Sequence, residues 1–328
     1  MKKILFVSSV FLFLAGGGLK PTPAPASAAM PFVVAQTNNS TATSPVTPPT
    51  VELLDPGTGP KQELRFRPTA NAKQTLTMTL NMDVVNSMAG QPAPTFKIPA
   101  SVMTMDVLVT QVDANGDIHS EFSYTDADVG TDPSVPPQLI DAMRSAIKQL
   151  VGLKGSYVTD NRGQVKSGRF ALPEGSDPIT KQLLEQMSNS LEQFSAPVPA
   201  EAVGKGAKWR VSSSLNVGGI NLTQNAIYEL VDLQNNVATL NVSMEQQAKS
   251  QTLTLPGLPT GATFTLKSLT SQGQGQMTMP LNAAGPIRSN LSMRSKSEMN
   301  IKEPSSGQEM PVETNISMQM TIESQNPK

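Results

Sequence analysis

The feature that most constrains the fold of this chain is an alternation of apolar and polar residues with a period of two. Between residues 75 and 84 every second residue is apolar, and the residues between them are Thr, Asn or Asp. Residues 103–109, 238–244, 287–301 and 316–322 follow the same pattern. Successive side chains of a strand point to opposite faces, so these runs predict antiparallel strands with one buried and one solvated face.

Short segments rich in Asn, Asp and Gly, which are typical of turns, separate the alternating segments at regular intervals. Asn115-Gly116 is the strongest, because Asn-Gly readily takes the positive φ of a tight hairpin turn. Residues 159–165 and 281–287 have similar composition, and residues 231–237 are a weaker instance. An internal duplication would give this spacing, but a β-meander gives it without one, and we favour the meander.

Two segments have helical rather than strand periodicity. Residues 137–151 carry one apolar stripe that ends at Gly152. The second begins at Ser176-Asp177-Pro178, a capping residue with proline in the first turn. Its apolar stripe comprises Ile179, Leu183, Met187, Leu191 and Phe194. The predicted fold is therefore mainly β: a large antiparallel meander or curved half-barrel-like sheet with two packed amphipathic helices.

The N-terminus has the pattern of a signal peptide. Lys2 and Lys3 precede an apolar stretch, residues 4–14, and Ala26-Ser27-Ala28 offers small residues for cleavage near 28/29. A second candidate site lies at 35/36. An uncleaved anchor is the alternative, but the apolar segment is shorter than the ~20 residues that a span needs. We therefore expect an extracytoplasmic bacterial protein, periplasmic or secreted, with no transmembrane span in the mature chain.

A composition change marks the domain boundary. Residues 21–51 carry no charge, and the Pro, Thr and Ser that dominate this region bury little apolar area. We predict a signal peptide at residues 1–29, a disordered Pro/Thr/Ser-rich linker at residues 30–60, and a single β-rich domain at residues 61–326. A proline-rich recognition ligand is the functional alternative for the linker.

Composition excludes several kinds of chemistry. The 25 Lys and Arg residues balance 26 Asp and Glu, which argues against nucleic acid as a partner. The chain has no cysteine and one histidine, His119, which the pattern places on a solvated strand face. No phosphate loop, nucleophile elbow or zinc-protease helix occurs. Asp126, Asp128 and Asp132 fit a solvated acidic loop better than a calcium loop. We expect no catalytic residue, metal or cofactor, and a non-enzymatic protein.

Methionine is the unusual residue, with 17 copies. Methionine fills irregular space and adapts to varied apolar partners. An ordinary core in a chain with few aromatic residues is one interpretation. The other is a pliable apolar face that holds a hydrophobic ligand. The candidate ligand face comprises Met78, Met105, Met279, Met293 and Met318.

Two segments of the chain are similar to segments of a known group of proteins: residues 63–67 (Glu-Leu-Arg-Phe-Arg) and residues 203–209 (Val-Gly-Lys-Gly-Ala-Lys-Trp). The chain resembles a group of uncharacterised secreted bacterial β-rich proteins with a Val-Gly-x-Gly-x-x-Trp turn, a domain of unknown function that implies no activity. Gly204 and Gly206 would allow a tight turn, and Trp209 would anchor the next strand. More loosely, the strand-rich plan is similar to the half-barrels of periplasmic lipoprotein carriers, whose lipid-anchored members have the cysteine that this chain lacks.

Together these features predict an exported, non-catalytic protein of the cell envelope that binds or carries a hydrophobic or lipid ligand. The alternative is a structural or protein-interaction module of the envelope with no small-molecule ligand. An apolar cavity would favour the first function, and a filled core with a flat exposed apolar patch would favour the second.

Overall fold

A computed structural model describes residues 48–88, 91–92, 96–171, 196–217, 219–253, 263–302 and 309–325. These residues form sixteen strands and one helix, so the prediction of a mainly β chain is confirmed. The strands are β1 (Thr50–Asp55), β2 (Thr58–Gln62), β3 (Lys73–Met88), β4 (Gln91–Pro92), β5 (Phe96–Val112), β6 (Ile118–Val129), β7 (Lys154–Thr159), β8 (Val165–Phe170), β9 (Val203–Lys205), β10 (Lys208–Val217), β11 (Ile220–Gln234), β12 (Val237–Ala248), β13 (Gln251–Leu253), β14 (Thr263–Pro280), β15 (Arg288–Lys302) and β16 (Glu309–Ser324).

Fourteen of these strands form one antiparallel sheet. Its main path runs β1-β10-β11-β12-β14-β15-β16-β3-β5-β6-β7-β8, with β4 beside β3 and β13 beside β14. Among the described strands β1 and β8 are the two edges, so the sheet is open rather than a closed barrel. The path contains two meanders, from β3 to β8 and from β10 to β16. The last strand, β16, joins them by pairing with β3.

The predicted hairpin turns are present. Gly116 has φ 89° between β5 and β6, and Gly163 has φ 83° between β7 and β8. Asn235 and Asn236, with φ 49° and 61°, connect β11 to β12. Positive φ at both central residues is the requirement of a type I′ hairpin turn, which asparagine tolerates better than most residues.

The first predicted helix is confirmed as α1 (Pro137–Lys148). Proline in its first turn supplies a fixed φ where no backbone N–H is needed, and Gly152, with φ 88°, follows its end. Ile140 and Ile147 are buried against the end of β6. Arg144 fastens the helix by donating to Oδ1 of Asp128 at 2.7 Å and to the carbonyl of Val129 at 2.9 Å.

Two other predictions about organisation have different outcomes. The second helix, predicted from Ser176 to Phe194, lies outside the described residues. The linker prediction of residues 30–60 is wrong at its C-terminal end, because Thr50–Asp55 form β1 and Thr58–Gln62 form β2. The alternation of Val51 and Leu53 is too short to stand out beside the prolines, and its pairing with β10 stabilises it.

The two ends of the open sheet are bridged. Phe66 donates its backbone N–H to the carbonyl of Asn161 at 2.7 Å, and Val198 donates to the carbonyl of Arg162 at 2.9 Å. Both acceptors lie in the turn between β7 and β8, at one end of the sheet. Phe66 and Val198 pack with Trp209 of β10, near the other end. The sheet therefore curls, and its apolar side lies within the curl.

Candidate functional site

The sheet has one apolar face and one polar face. We call the apolar face the side that carries Leu80, Met82, Leu291, Met293 and Met318 together with the residues in register with them. Directly paired residues on neighbouring strands share a face, so the pairing register defines this face across the sheet. The confirmed alternation places polar residues on the opposite side, which we call the polar face.

Two adjacent rows of register partners cross eight strands of the apolar face. The first, the methionine row, comprises Val51, Val211, Ala226, Met244, Gly273, Met293, Met318 and Met82. The second, the tryptophan row, comprises Leu53, Trp209, Tyr228, Val242, Gly275, Leu291, Met320 and Leu80. Neither row contains a charged residue. From β1 toward β3, both rows change from aromatic or small apolar residues to long flexible ones.

The two rows share a gap in the side-chain layer at β14. Gly273 and Gly275 contribute no side chain, while Leu291 and Met293 flank them on β15 and Met244 flanks them on β12. We call this gap the glycine trough. With neighbouring strands ~4.8 Å apart, β12 and β15 are about 10 Å apart across it. An added Cβ at Gly275 would overlap the carbonyl oxygen of Asn290, so close backbone approach requires glycine there. An added Cβ at Gly273 would lie 3.4 Å from the carbonyl oxygen of Ser292, at the edge of ordinary contact.

The apolar face is filled at one end and less so in the middle. The filled end is a cluster around Trp209 that includes Leu64, Leu230 and Leu240, each at most 1% exposed. The middle of the face is half-buried instead. Its half-buried residues are Leu80, Met82, Met244, Leu291, Met293, Ile316, Met318, Met320 and Ile322. Apolar side chains thus remain partly accessible beside the glycine trough.

Charge is confined to the other side of these strands. On the polar face Lys296 contacts Glu313, with Nζ 3.3 Å from Oε2. Hydrogen bonds from Asn315 and then from Lys296 lower the pKa of the Glu313 carboxyl below its usual value. Likewise Lys73 donates to Asp106 at 2.8 Å and, with Thr75, lowers the pKa of that carboxyl. The apolar face is therefore the low-polarity side of the sheet.

The five methionines predicted as a ligand face all lie on the apolar face, but not equivalently. Met293 flanks the trough, and Met318 is its register partner on β16. Met78 of β3 pairs with Ile322 of β16. Met105 of β5 pairs with Leu76, which lies two residues before Met78 on the same face of β3. Met78 and Met105 are both half-buried. Met279 belongs instead to the filled cluster around Trp209 and is 8% exposed. Met105 packs against the buried cluster of Leu76, Val107, Phe122 and Phe170. Met78, Met293 and Met318 thus line the accessible part of the face.

Several residues of the trough and of the two rows that cross it were not among the predicted site residues. They are Gly273, Gly275, Leu291, Met82, Met244 and Met320. The alternation already placed Met82 and Met244 in strands. Gly273 and Gly275 interrupt the apolar pattern of β14, and only the pairing of β14 with β12 and β15 shows that this interruption lies between methionines.

The Gly204–Trp209 segment forms the base of the filled end. Gly206 has φ 82°, and an added Cβ at Gly204 would overlap the carbonyl oxygen of Thr58 on β2. Trp209 is 1% exposed and its Nε1 donates to the carbonyl of Pro197 at 3.2 Å. These contacts hold β9, β2 and the start of β10 together.

The acidic and histidine candidates take part in local contacts. Nε2 of His119 lies 2.9 Å from Oδ2 of Asp113, at the β5–β6 turn. Asp128 binds Arg144, and Asp132 accepts hydrogen bonds from Ser134. Within the described ranges no cluster of three or more His, Asp or Glu residues could hold a metal ion. Nor does that part of the chain contain a helix with the length and apolarity to cross a membrane.

The fold and this face define a class: an open antiparallel β-sheet protein with one apolar, charge-free face. A family of unknown function (DUF6263) has a model that matches residues 183–297, which include β9 to β14 and most of β15. Over these residues the chain is thus similar to an uncharacterised domain. No curated protein matches the chain significantly.

Solved structures offer only weak similarity. The outer membrane protein OmpT of Vibrio cholerae is 7% identical over 76% of this chain and all of its own, with a TM-score of 0.18. OpdL of Pseudomonas aeruginosa is 9% identical over 77% of this chain and 99% of its own, with a TM-score of 0.20. Ail of Yersinia pestis is 6% identical over the same shares, with a TM-score of 0.14. At these scores the likeness carries no argument.

Proposed function

We propose that this chain is an exported, non-catalytic protein of the bacterial cell envelope that binds a hydrophobic ligand with an acyl chain in the glycine trough. The observation that carries the proposal is the pair of rows on the apolar face. They combine a strip without side chains, half-buried methionines on both sides and no charge. The N-terminal pattern of Lys2, Lys3 and an apolar segment supports export.

The trough has a suitable width and chemistry for part of an acyl chain. A width of about 10 Å between β12 and β15 leaves room for one hydrocarbon chain above the backbone of β14. Each buried CH₂ contributes ~0.8 kcal/mol of transfer free energy, so a long chain supplies enough to offset the cost of immobilising it. Met244, Met293 and Met318 can repack around chains of different length because the methionine side chain is unbranched and flexible.

Two pairs of variants test whether the trough is the site. In the first, Gly273→Leu fills the trough, whereas Gly273→Ala adds a single methyl group with no contact closer than 3.4 Å. In the second, Met293→Lys puts an ammonium on the apolar face, whereas Ser292→Lys puts the same group on the polar face. Desolvating an unpaired ammonium among apolar groups is costly.

The measurement is the titration of the purified chain with a fluorescent fatty-acyl probe, with thermal unfolding as the check on folding. We expect the parent, Gly273→Ala and Ser292→Lys to take up the probe. We expect Gly273→Leu and Met293→Lys to lose at least tenfold in affinity. If the folded parent takes up no probe, the proposal fails, and a structural or protein-interaction module of the envelope replaces it. Equal uptake by all variants would also refute the trough as the site.

A further inference from the structure

A row of uncharged polar residues crosses the apolar face directly beside the methionine row. Two residues further along β10, β11, β12, β14 and β15, the register partners are Ser213, Gln224, Gln246, Ser271 and Ser295. We call these five residues the amide row. Two residues beyond it, β10, β11 and β12 carry Leu215, Leu222 and Ala248, which belong to a second apolar cluster. The amide row therefore lies within the apolar face rather than at its margin.

The amide row is in contact with the glycine trough. Ser271 occupies the next position after Gly273 on the same face of β14, so the strip without side chains ends there. On β12, Nε2 of Gln246 lies 3.8 Å from Sδ of Met244, the methionine that flanks Gly273. On β15, Ser295 is the register partner of Ser271. Polar groups of three neighbouring strands thus meet one end of the trough.

The two glutamines of the row leave one donor and one acceptor free. Nε2 of Gln246 donates to Oε1 of Gln224 at 2.8 Å. Two amides joined by one hydrogen bond leave the nitrogen of one and the oxygen of the other, whichever way the pair is turned. Within the described ranges no protein group pairs with Nε2 of Gln224 or Oε1 of Gln246. Both side chains are half-buried and both atoms keep accessible surface, so a ligand can reach them.

The serine pair adds a hydroxyl donor on the other side of the trough. Oγ of Ser271 donates to Oγ of Ser295 at 3.0 Å. Ser271 is 4% exposed, whereas Ser295 is half-buried. A hydroxyl that accepts a hydrogen bond keeps its own proton to donate. Ser295 therefore presents an O–H group beside Met293.

The amide row, the methionine row and the tryptophan row contain no charged residue. Arg294 and Lys296, the neighbours of Ser295 in the sequence, are exposed on the polar face. A carboxylate or phosphate bound at the amide row would lose hydration without gaining a counter-charge. The free groups are instead complementary to an uncharged head group that both donates and accepts hydrogen bonds.

We infer that the ligand is an uncharged lipid whose head group carries hydroxyls, of the acylglycerol type, and that the amide row binds this head group. The inference rests on the proposed function, because it assumes that the apolar face binds an acyl chain. Ser271 and Gly273 are about 7 Å apart along β14. A head group at the amide row therefore leaves the adjoining methylene groups over Gly273 and Gly275.

Competition against the fluorescent acyl probe, with the full chain, tests the inference. The competitors are 1-hexadecanoylglycerol, methyl hexadecanoate and hexadecanoate, which share a hydrocarbon chain and differ in the polar end. The methyl ester keeps a carbonyl but has no donor, and one net hydrogen bond corresponds to roughly fivefold in affinity. We expect the acylglycerol to displace the probe at about one fifth of the ester concentration or less, and hexadecanoate to be the weakest competitor.

Variants assign this preference to the glutamines. Gln224→Met and Gln246→Met remove an amide at similar size, and each should bring the acylglycerol and the methyl ester close to equal competition. Gln247→Met is the matched control, because Gln247 is the exposed neighbour on the polar face of β12, and it should keep the preference. Thermal unfolding checks that each variant is folded.

A charge variant gives a readout that a loss of folding cannot produce. Gln246→Lys places an ammonium in the amide row, where a carboxylate can pair with it. We expect hexadecanoate to gain at least tenfold relative to the acylglycerol in this variant. Gln247→Lys, on the polar face, should leave the order of competitors unchanged.

The failures of the two proposals are distinguishable. Equal competition by the acylglycerol and the methyl ester in the parent, with probe uptake intact, overturns the head-group site and leaves the acyl site standing. Strongest competition by hexadecanoate in the parent also overturns the head-group site, as does a preference that both methionine variants keep. No probe uptake at all overturns both proposals.

Discussion

The indole of Trp209 stacks on the ring of Tyr228, with ring centroids 5.6 Å apart and planes inclined by 13°. The two residues are register partners on β10 and β11, and both lie in the tryptophan row. The stack closes the filled end of the apolar face, because Leu64 and Val198 pack over it. The accessible methionines therefore begin where the aromatic residues end.

We expect Trp209→Ala to destabilise the fold by about 3–5 kcal/mol, as large aromatic deletions in cores do. The loss combines the buried area of the indole, its stack on Tyr228 and the hydrogen bond to Pro197. Urea unfolding followed by circular dichroism measures it. Trp209→Phe, which keeps an aromatic ring, is the control and should cost less. An unchanged unfolding midpoint for Trp209→Ala, or solvent-exposed tryptophan fluorescence in the parent, would contradict this role.

The tyrosines give the fold a dependence on alkaline pH. Burial raises the pKa of Tyr228 to about 12 and also raises the pKa values of Tyr124 and Tyr157. An unfolded tyrosine has a pKa of about 10. Between these values the unfolded chain has lost a proton that the folded chain retains, so stability is fully present below pH 10 and falls as the pH rises toward 12.

For Tyr228 alone the free energy of unfolding falls by about 3 kcal/mol between pH 10 and pH 12, at ~1.4 kcal/mol per pKa unit. Urea midpoints measured at several pH values in the window test it, and the ultraviolet absorbance of phenolate should appear only as the chain unfolds. Tyr228→Phe should reduce the loss of stability between pH 10 and pH 12 by about the same 3 kcal/mol. Phenolate absorbance rising near pH 10 in folded protein would refute the assignment.

Gly204 and Gly206 should respond differently to alanine, although they are two residues apart. At Gly204 a methyl group overlaps the carbonyl of Thr58, so β2 and β9 must move apart. At Gly206 the surrounding space is open, and the cost is the left-handed backbone alone, about 1–2 kcal/mol. Gly206→Asn should recover part of that cost because asparagine tolerates this conformation. Thermal unfolding of the three variants checks the order; equal losses at both glycines would argue against the close approach to Thr58.

The N-terminal pattern predicts cleavage on export. We expect the mature chain to begin at Ala29 or Gln36 and to appear in the extracytoplasmic fraction of a bacterial host. Intact-mass measurement and N-terminal sequencing of the purified chain locate the cut. Replacing Lys2 and Lys3 by Glu should reduce export, since the positive charge before the apolar segment directs insertion. A soluble cytoplasmic chain that retains Met1 would contradict the prediction.

Strand positions and faces followed from the sequence because they depend on neighbouring residues. The alternation of Leu76 to Val84 correctly predicted β3 and its apolar face, and Asn115-Gly116 correctly predicted the turn from β5 to β6. The burial of Trp209 was likewise predictable from its place where a glycine turn enters a strand. In each of these cases local chemistry decides the structure.

Long-range pairing did not follow from the sequence. Nothing in the residues of β16 indicates that Met318 pairs with Met82 of β3 rather than with a later or earlier strand, because any alternating strand can pair with another. The strand β1 was missed for a related reason: its inward-facing residues Val51 and Leu53 gain their stability from β10, far along the chain. The glycine trough depends on the pairing of β14 with β12 and β15, so only the folded sheet reveals it.

Native mass spectrometry of the unmutated chain tests the central claim most directly. The full-length sequence would be expressed in a bacterium, and the mature protein would be purified from the envelope fraction without detergent and measured under gentle and then denaturing conditions. We expect a mass above that of the mature chain, which denaturation reduces to the chain mass while releasing a lipid with an acyl chain. Protein that carries no adduct and, after addition of the acyl probe, still takes up none would contradict the account.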